Sequence, residues 1–395
     1  MTNRFIHRNI ECTIKEACNY FPVITITGPR QSGKTTLIKH LFKHLPYYSL
    51  ENIDLRNFAL KDPIAFLNQH VQGMILDEVQ HVPALLSYIQ GLVDEDASKH
   101  FILSESAQFS MLKTITQSLS GRTAIFELLP MSYTEVKKTA VQKTLDELLL
   151  DGFYPAIYAG KNIPAYLYPN YVKTYLERDV RDLLQIKDMM QFQAFLRLCA
   201  GRVGDLFNAS ALSNEVGVAI NTIKSWLSVL QASYIIFLLS PYFENAGKRL
   251  IKTPKLYFTD TGLACYLLGI ETPQQLSRDK KRGDLFENFI IAEALKERYN
   301  KGKESNLFFY RDSHQNEVDL LLRYGDKFDA IEIKSAQTFH PEFEKGIKVM
   351  DKVFGARLQH KTIIYTGSFE NTSGDIQLLN YKNLNKFFTN NQINK

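Results

Sequence analysis

The stretch Val23-Ile-Thr-Ile-Thr-Gly28-Pro29-Arg30-Gln31-Ser32-Gly33-Lys34-Thr35-Thr36-Leu37-Ile-Lys-His-Leu decides the fold. A β-branched run, a turn holding two glycines and an apolar-polar continuation read as strand, loop and helix. Residues 28 to 35 match G-x-x-x-x-G-K-[ST] in the strand-to-helix context that gives this pattern meaning. Gly28 and Gly33 let the backbone curl so that successive N–H groups converge on phosphate oxygens, and the dipole of the following helix adds to that attraction. Lys34 is expected to reach the β- and γ-phosphates, Thr35 to ligate Mg²⁺, and Thr36 to bond a phosphate nearer the sugar. Pro29, Arg30, Gln31 and Ser32 complete the expected ATP-binding loop. A chance glycine turn before a helix has no need of Lys-Thr at its end.

A second element follows in Gln72-Gly-Met-Ile-Leu-Asp77-Glu78-Val-Gln80, a short apolar strand that ends in two carboxylates. Asp77 is the candidate to hold Mg²⁺, and Glu78 the candidate general base or orienting group for the attacking water. The next strand, His100-Phe-Ile-Leu-Ser104-Glu105-Ser106, ends in hydroxyls placed to sense a γ-phosphate. Arg122, in Ser120-Gly121-Arg122, is a candidate finger acting in trans on a neighbouring subunit. A surface arginine near a helix C-terminus is the alternative reading.

These residues resemble a prokaryotic AAA+ ATPase family whose loop reads GPRQ-x-GKTTL and whose acidic strand ends LDE-x-Q. Pro130-Met-Ser-Tyr-Thr-Glu-Val resembles the segment that follows the ATPase domain in that family. Where the family commonly has Thr-Gly-Ser-Ser, this chain has Ser104-Glu105-Ser106-Ala107, a departure at the sensor position. The resemblance implies an ATPase fused to a C-terminal domain related to PD-(D/E)xK nucleases.

In the middle of the chain, Asp151-Gly-Phe-Tyr-Pro155 is a turn-rich boundary. Beyond it, Tyr171 to Leu184 has helical spacing, and resembles the family's Tyr-x-x-Tyr-Leu-Glu-Arg-Asp helix with Glu177, Arg178, Asp179 and Arg181. Arg178 or Arg181 is read either as approaching the nucleotide or as part of a solvated, charge-paired face. From Asn208 to Leu230 the pattern is helix, Gly217 turn, helix, followed by an apolar run from Tyr234 to Leu239. This order predicts a winged helix, which presents Asn221, Thr222, Lys224 and Ser225 to DNA or packs against protein.

The last region carries Glu287 early in an amphipathic helix, then Glu-Val-Asp319 in one strand and Glu332-Ile-Lys334 in the next. Residues i and i+2 of a strand share a face, so Glu332 and Lys334 point the same way. The order resembles the PD-(D/E)xK core, which implies Asp319 and Glu332 as Mg²⁺ ligands, Lys334 beside the hydrolytic water and Glu287 assisting. Binding nucleic acid or protein without cutting is an open alternative, as is a plain salt-bridged sheet edge.

The 395 residues and 45.4 kDa allow two to four domains, and 45% hydrophobic with 23% charged residues excludes wholesale disorder. No apolar run approaches the roughly 20 residues of a membrane span. Glu11, Lys15 and Glu16 interrupt any signal-like core after Arg4 and Arg8, so the cytoplasm is expected. Cys12, Cys18, Cys199 and Cys265 form no CxxC pair and are expected to be buried thiols. A net charge of +5 is too weak to establish nucleic-acid binding.

The expectation is a multidomain α/β protein: an AAA+ P-loop domain over 1–140, a helical and winged-helix connector over 141–270, a restriction-endonuclease-like domain over 271–385 and a frayed tail. Its expected cofactors are ATP and Mg²⁺, and its expected role is to couple nucleotide state to the C-terminal domain. An ATP-regulated nuclease and a nucleotide-switched DNA or protein adaptor are the alternatives. DNA, a protein partner and a second copy of the chain are the candidate partners.

Overall fold

The structure is a computed structural model that describes residues 5–106, 118–140, 142–176, 189–243, 252–312 and 314–390. The first module is built on β1 (Val23–Thr27), β2 (Tyr47–Ser49), β3 (Gly73–Asp77), β4 (His100–Ser104) and β5 (Thr123–Glu127). They form one parallel sheet in the order β2-β3-β4-β1-β5. Every residue of β1 and β3 is buried, as befits inner strands of a sheet covered on both faces. Alternation assigns the two faces. Val23, Met74, Leu76, Phe101 and Leu103 pack with the helix Leu85–Glu95, while Ile24, Ile26, Ile75 and Ile102 pack with Leu37 and Ile38 of the helix Lys34–Leu41.

The register matters more for function than the layers do. Ser104 of β4 pairs with Ile26 of β1 on one side and with Asp77 of β3 on the other. The loop after β1, the carboxylates after β3 and the hydroxyls after β4 therefore open at one edge, where parallel sheets bind their ligands.

Short helices follow, among them Leu145–Asp151, Pro155–Tyr158, Pro164–Tyr171 and Met189–Ala200. Glu177, Arg178, Asp179 and Arg181 lie outside the described residues. The helices Ala209–Val216 and Ile220–Ala232 meet at Gly217, whose φ of 76° ends the first of them in the left-handed region. Trp226 packs its ring on Phe192 and Phe195, with centroids 5.4 and 5.5 Å away, while Asn221, Lys224 and Ser225 are exposed.

β6 (Ile236–Pro241) and β7 (Lys255–Phe258) then form an antiparallel pair. The helix Arg282–Asn300 precedes β8 (Leu307–Arg311), β9 (Glu317–Tyr324) and β10 (Lys327–Lys334), an antiparallel meander. The helix Lys345–Phe354 crosses to β11 (Leu358–Tyr365), parallel to β10, and β12 (Asn371–Ser373) and β13 (Ile376–Asn380) complete an eight-stranded sheet. Its order, β12-β13-β11-β10-β9-β8-β6-β7, takes the β6–β7 pair into the C-terminal sheet through β6 beside β8. One hydrophobic core accordingly runs from Leu129 to Phe387.

A closing helix, Leu384–Asn390, occupies the start of the segment read as a frayed tail. Cys199 and Cys265 are buried as expected, but Cys12 is exposed and Cys18 half-buried. Both belong to the short first helix region: Cys18 follows Ile10 and Ile14 on the face that meets the core and is partly covered there, while Cys12 is on the open face. Among the described residues no helix is long and apolar enough to cross a membrane.

Candidate functional site

The loop after β1 has the backbone that its glycines predict. Gly28 has φ 148°, and a Cβ there would lie 2.2 Å from the carbonyl oxygen of Leu128; Gly33 has φ 97°. Only glycine fits the first position, and both need a conformation that other residues resist. Lys34 begins the helix, and its ammonium donates to the carbonyls of Gly28 and Pro29, each at 2.9 Å. Burial lowers this ammonium to about 8, with Glu78 and Asp77 opposing the shift. A cation so desolvated, at a helix N-terminus whose first turn holds no acidic residue, favours an anionic ligand.

Asp77 gathers three hydroxyls. Its Oδ2 accepts from Thr35 at 2.9 Å and from Tyr47 at 2.6 Å, and its Oδ1 accepts from Ser104. Glu78 stands in the left-handed region with φ 54°, and both of its oxygens are engaged: Oε1 by Ser106 at 2.6 Å and Oε2 by Gln80 at 2.5 Å. A non-glycine residue held there marks a backbone fixed by its surroundings. Ser104 and Ser106 thus meet the carboxylates side by side. Glu105, at the familial glycine position, is buried, and its N–H bonds the carbonyl of Ile26 at 3.1 Å.

Lys34, Thr35, Glu78 and Ser106 open on a cavity of about 610 Å³, within the roughly 300–1,000 Å³ of small-molecule sites. Arg30, Gln31, Gly33, Lys34, Thr35 and Thr36 form its floor, with Glu78 and Ser106 on one side. The rest of the lining is mixed: Phe5 and Ile6 from the N-terminal segment, Met131 after β5, and Pro155 with Ala156 from the next module make an apolar wall, beside Arg8, Lys161 and Asn162. Polar and apolar stretches in one lining suit a phosphate chain attached to a flat base. The hydroxyl of Thr35 and the carboxylate of Asp77 are the hard oxygen donors that Mg²⁺ takes beside phosphate, so the residues fit the ion.

Several residues at this site escape a sequence reading. Arg8, legible only as an N-terminal charge, is buried and donates to the carbonyls of Ser32 and Leu129, both at 2.8 Å, while its Nε pairs with Glu135 at 3.1 Å. It staples the loop to the segment after β5. Tyr47 and Gln80 also went unassigned, although Gln80 stands two residues from Glu78 in the same motif.

Arg122 is not brought to this cavity. Its guanidinium is on the surface, paired fork to fork with Asp94 at 2.6 and 2.8 Å.

The C-terminal candidates do gather. Lys334 Nζ lies 2.6 Å from Glu332 Oε1 and 3.5 Å from Asp319 Oδ2, which also accepts the N–H of Ile333 at 2.7 Å. Burial and the neighbouring Asp319 push the Glu332 carboxyl up to about 8. Glu287 stands to one side, where Tyr257 donates to it at 2.5 Å. The ligand oxygens of Glu287, Asp319 and Glu332 do not all lie within 4.8 Å of one another; among the described residues that spacing is met by His7, Glu11 and His40.

Comparison with known proteins places these sites in three matched regions. Residues 20–137 match an AAA domain, 142–274 a domain of unknown function (DUF8612) and 282–384 another (DUF4143). The uncharacterized proteins Rv2008c of Mycobacterium tuberculosis and Mb2031c of Mycobacterium bovis are each 30% identical over 370 residues, 91% of this chain and 80% of theirs. The uncharacterized protein MJ1637 of Methanocaldococcus jannaschii is 23% identical over 60% of each chain. Among solved structures, the Walker-type ATPase of Pyrococcus abyssi aligns with a TM-score of 0.44 and 12% identity, over 67% of this chain and 96% of that one. The first module is thus an AAA-type nucleotide-binding module with a P-loop.

Proposed function

From the premise that this chain belongs to the same family as the two mycobacterial proteins, we propose that its first module binds Mg·ATP in the cavity and hydrolyses it, and that nucleotide state is coupled to the C-terminal domain. The observation that carries this reading is the meeting of Thr35, which lines the cavity, with Asp77 at 2.9 Å, with Glu78, also in the lining, next in the chain.

When bound, Mg²⁺ neutralises charge on the β- and γ-phosphates. The chain's own residues do the rest. Backbone N–H groups of the loop cradle the phosphates, and Lys34 exchanges its two carbonyl partners for phosphate oxygens. Thr36 bonds a phosphate nearer the sugar, and the apolar wall takes the base. Ser104 and Tyr47 fix the Asp77 carboxylate that holds the ion with Thr35. Glu78 accepts a proton from, or orients, the attacking water, and Ser106 and Gln80 set the direction of its carboxylate. Ser104 and Arg122 are further candidates for transition-state contacts, the latter only from a neighbouring subunit.

Purified Lys34→Ala and Glu78→Gln test the assignment by phosphate release. Both are expected to lose turnover, and only Lys34→Ala to lose ATP binding. Turnover at the wild-type rate in either variant refutes the mechanism.

A second reading, metal-dependent cleavage of nucleic acid under ATP control, is favoured by one observation. The helix Arg282–Asn300 and the β8–β9–β10 meander with parallel β11 bring Asp319, Glu332 and Lys334 together, with Glu287 beside them. Incubation of DNA and RNA with Mn²⁺ tests it. Cleavage that Asp319→Ala and Lys334→Ala abolish supports it. No cleavage in any condition favours an adaptor instead, one that uses its helix-Gly217-helix element or this domain to hold DNA or protein.

A further inference from the structure

The region around Asp319 holds a cation that no sequence pattern singles out. Lys255, on β7, is buried, and its ammonium lies 3.0 Å from Glu287 Oε1 and 2.5 Å from Glu317 Oε1. Tyr257, two residues on and therefore on the same strand face, donates to the same Glu287 oxygen. Burial alone would discharge Lys255, but Glu287, Asp319 and Glu317 more than offset it and hold the ammonium above its usual range. Arg311 adds a second cation to Glu317, at 3.3 Å from Oε2. Glu287 and Glu317 are thus neutralised from within the protein.

The other half of the cluster differs. Lys334 bridges Asp319 and Glu332 through one oxygen of each. Glu332 Oε2 is buried and has no hydrogen-bond partner among the described residues. The helix Lys345–Phe354 passes over it at Gly346, where a Cβ would come within 2.9 Å of that oxygen. A buried acceptor without a donor is rare in a folded protein, and a bound ion is one of the things that accounts for it.

We propose that Lys255 is a constituent of this site, its ammonium standing where a second cation would bridge Glu287 and Glu317, so that the site takes one divalent cation, on Asp319 and Glu332. Carboxylate oxygens select a hard ion, Mg²⁺ or Mn²⁺. The site is then a composite, because Lys255 arrives on a strand of the middle region rather than on the domain that follows. This inference rests on the second reading above for the location of the cluster, but it concerns cations and not cleavage, so a chain that cuts nothing leaves it standing.

The test is a Mn²⁺ titration of the full-length chain carrying Asp77→Asn and, to remove the His7–Glu11–His40 group, His40→Asn, free of nucleotide, with unbound Mn²⁺ read by electron paramagnetic resonance. One bound ion is expected, lost when Asp319→Asn is added. Lys255→Ala, which vacates the place of the ammonium, is expected to bind two ions and Lys255→Arg one. Because Lys255→Ala risks misfolding, Glu287→Gln provides an independent check: it is expected to keep the single ion at nearly unchanged affinity. A loss of about tenfold or more in Glu287→Gln, the size expected when a ligand or its support is removed, overturns the proposal. So does a parent chain that binds two ions or none, or a folded Lys255→Ala chain that still binds one.

Discussion

The hydroxyl of Tyr234 lies 2.6 Å from that of Thr27, across 207 residues of sequence, and both residues are buried. Thr27 is the last residue of β1, directly before Gly28. Tyr234 leads into β6, and its carbonyl accepts from Thr259 at 2.6 Å, just beyond β7. The strand that feeds the phosphate loop and the hairpin that bears Lys255 are therefore tied by one hydrogen bond. Tyr234→Phe keeps the ring and removes the bond, and is expected to lower unfolding free energy by about 1 kcal/mol. Urea titration of Tyr234→Phe, Thr27→Val and the double variant checks this; the double variant should lose less than the two single losses together.

Gly28 allows a sharper expectation. With φ 148° and a backbone oxygen 2.2 Å from any Cβ, the position has no room for alanine. Gly28→Ala is expected to cost about 1–3 kcal/mol of backbone strain, and to abolish ATP binding even where the chain remains folded. Isothermal titration with Mg·ATP beside a thermal melt separates the two effects.

Glu78 is held at both oxygens, and its helpers should be visible kinetically. Ser106→Ala and Gln80→Ala are each expected to lower kcat for ATP by about tenfold, less than the roughly 10²–10⁴-fold attached to a general base, with KM little changed. A variant that raises KM and leaves kcat alone would place its residue in binding rather than in orientation.

Glu293 supplies a pH dependence. It is buried with Lys296 at 3.0 Å and accepts the N–H of Tyr133 at 2.7 Å. Burial raises its carboxyl above the usual range, with Lys296 opposing. The folded chain then holds this proton more tightly than the unfolded chain does. Its contribution to stability is complete below the unfolded value of about 4.3, and is lost as pH rises through the folded one. Between about pH 4 and pH 7, wild type should lose stability relative to Glu293→Gln, which cannot titrate. Paired urea midpoints at the two ends of that range give the sign directly.

What could be read in advance was local. Lys34 and Thr35 follow Gly33 in the chain, and Asp77 and Glu78 end one strand, so adjacency in sequence already fixed adjacency in space. The α/β class was legible from the same local patterns, while the parallel order of the strands emerges only in the fold. Arg8, Tyr47 and Pro155 were not legible, since Arg8 and Pro155 reach the cavity, and Tyr47 reaches Asp77, through long-range contacts that no period or spacing encodes. Lys255 was not legible either: its partners Glu287 and Glu317 lie on a later helix and a later strand, and only the sheet order brings them to it. Arg122 is a different case: its setting suggests chemistry on a neighbouring subunit, and within this chain its guanidinium pairs with Asp94 at the surface.

Pro155 and Ala156 belong to the region matched as 142–274, yet they close the cavity whose floor belongs to 20–137. Anyone who excises the first module at the seam between the two matches will express a bowl with one side missing. Such a fragment should take up nucleotide weakly, and a silent assay on it would misrepresent the intact chain.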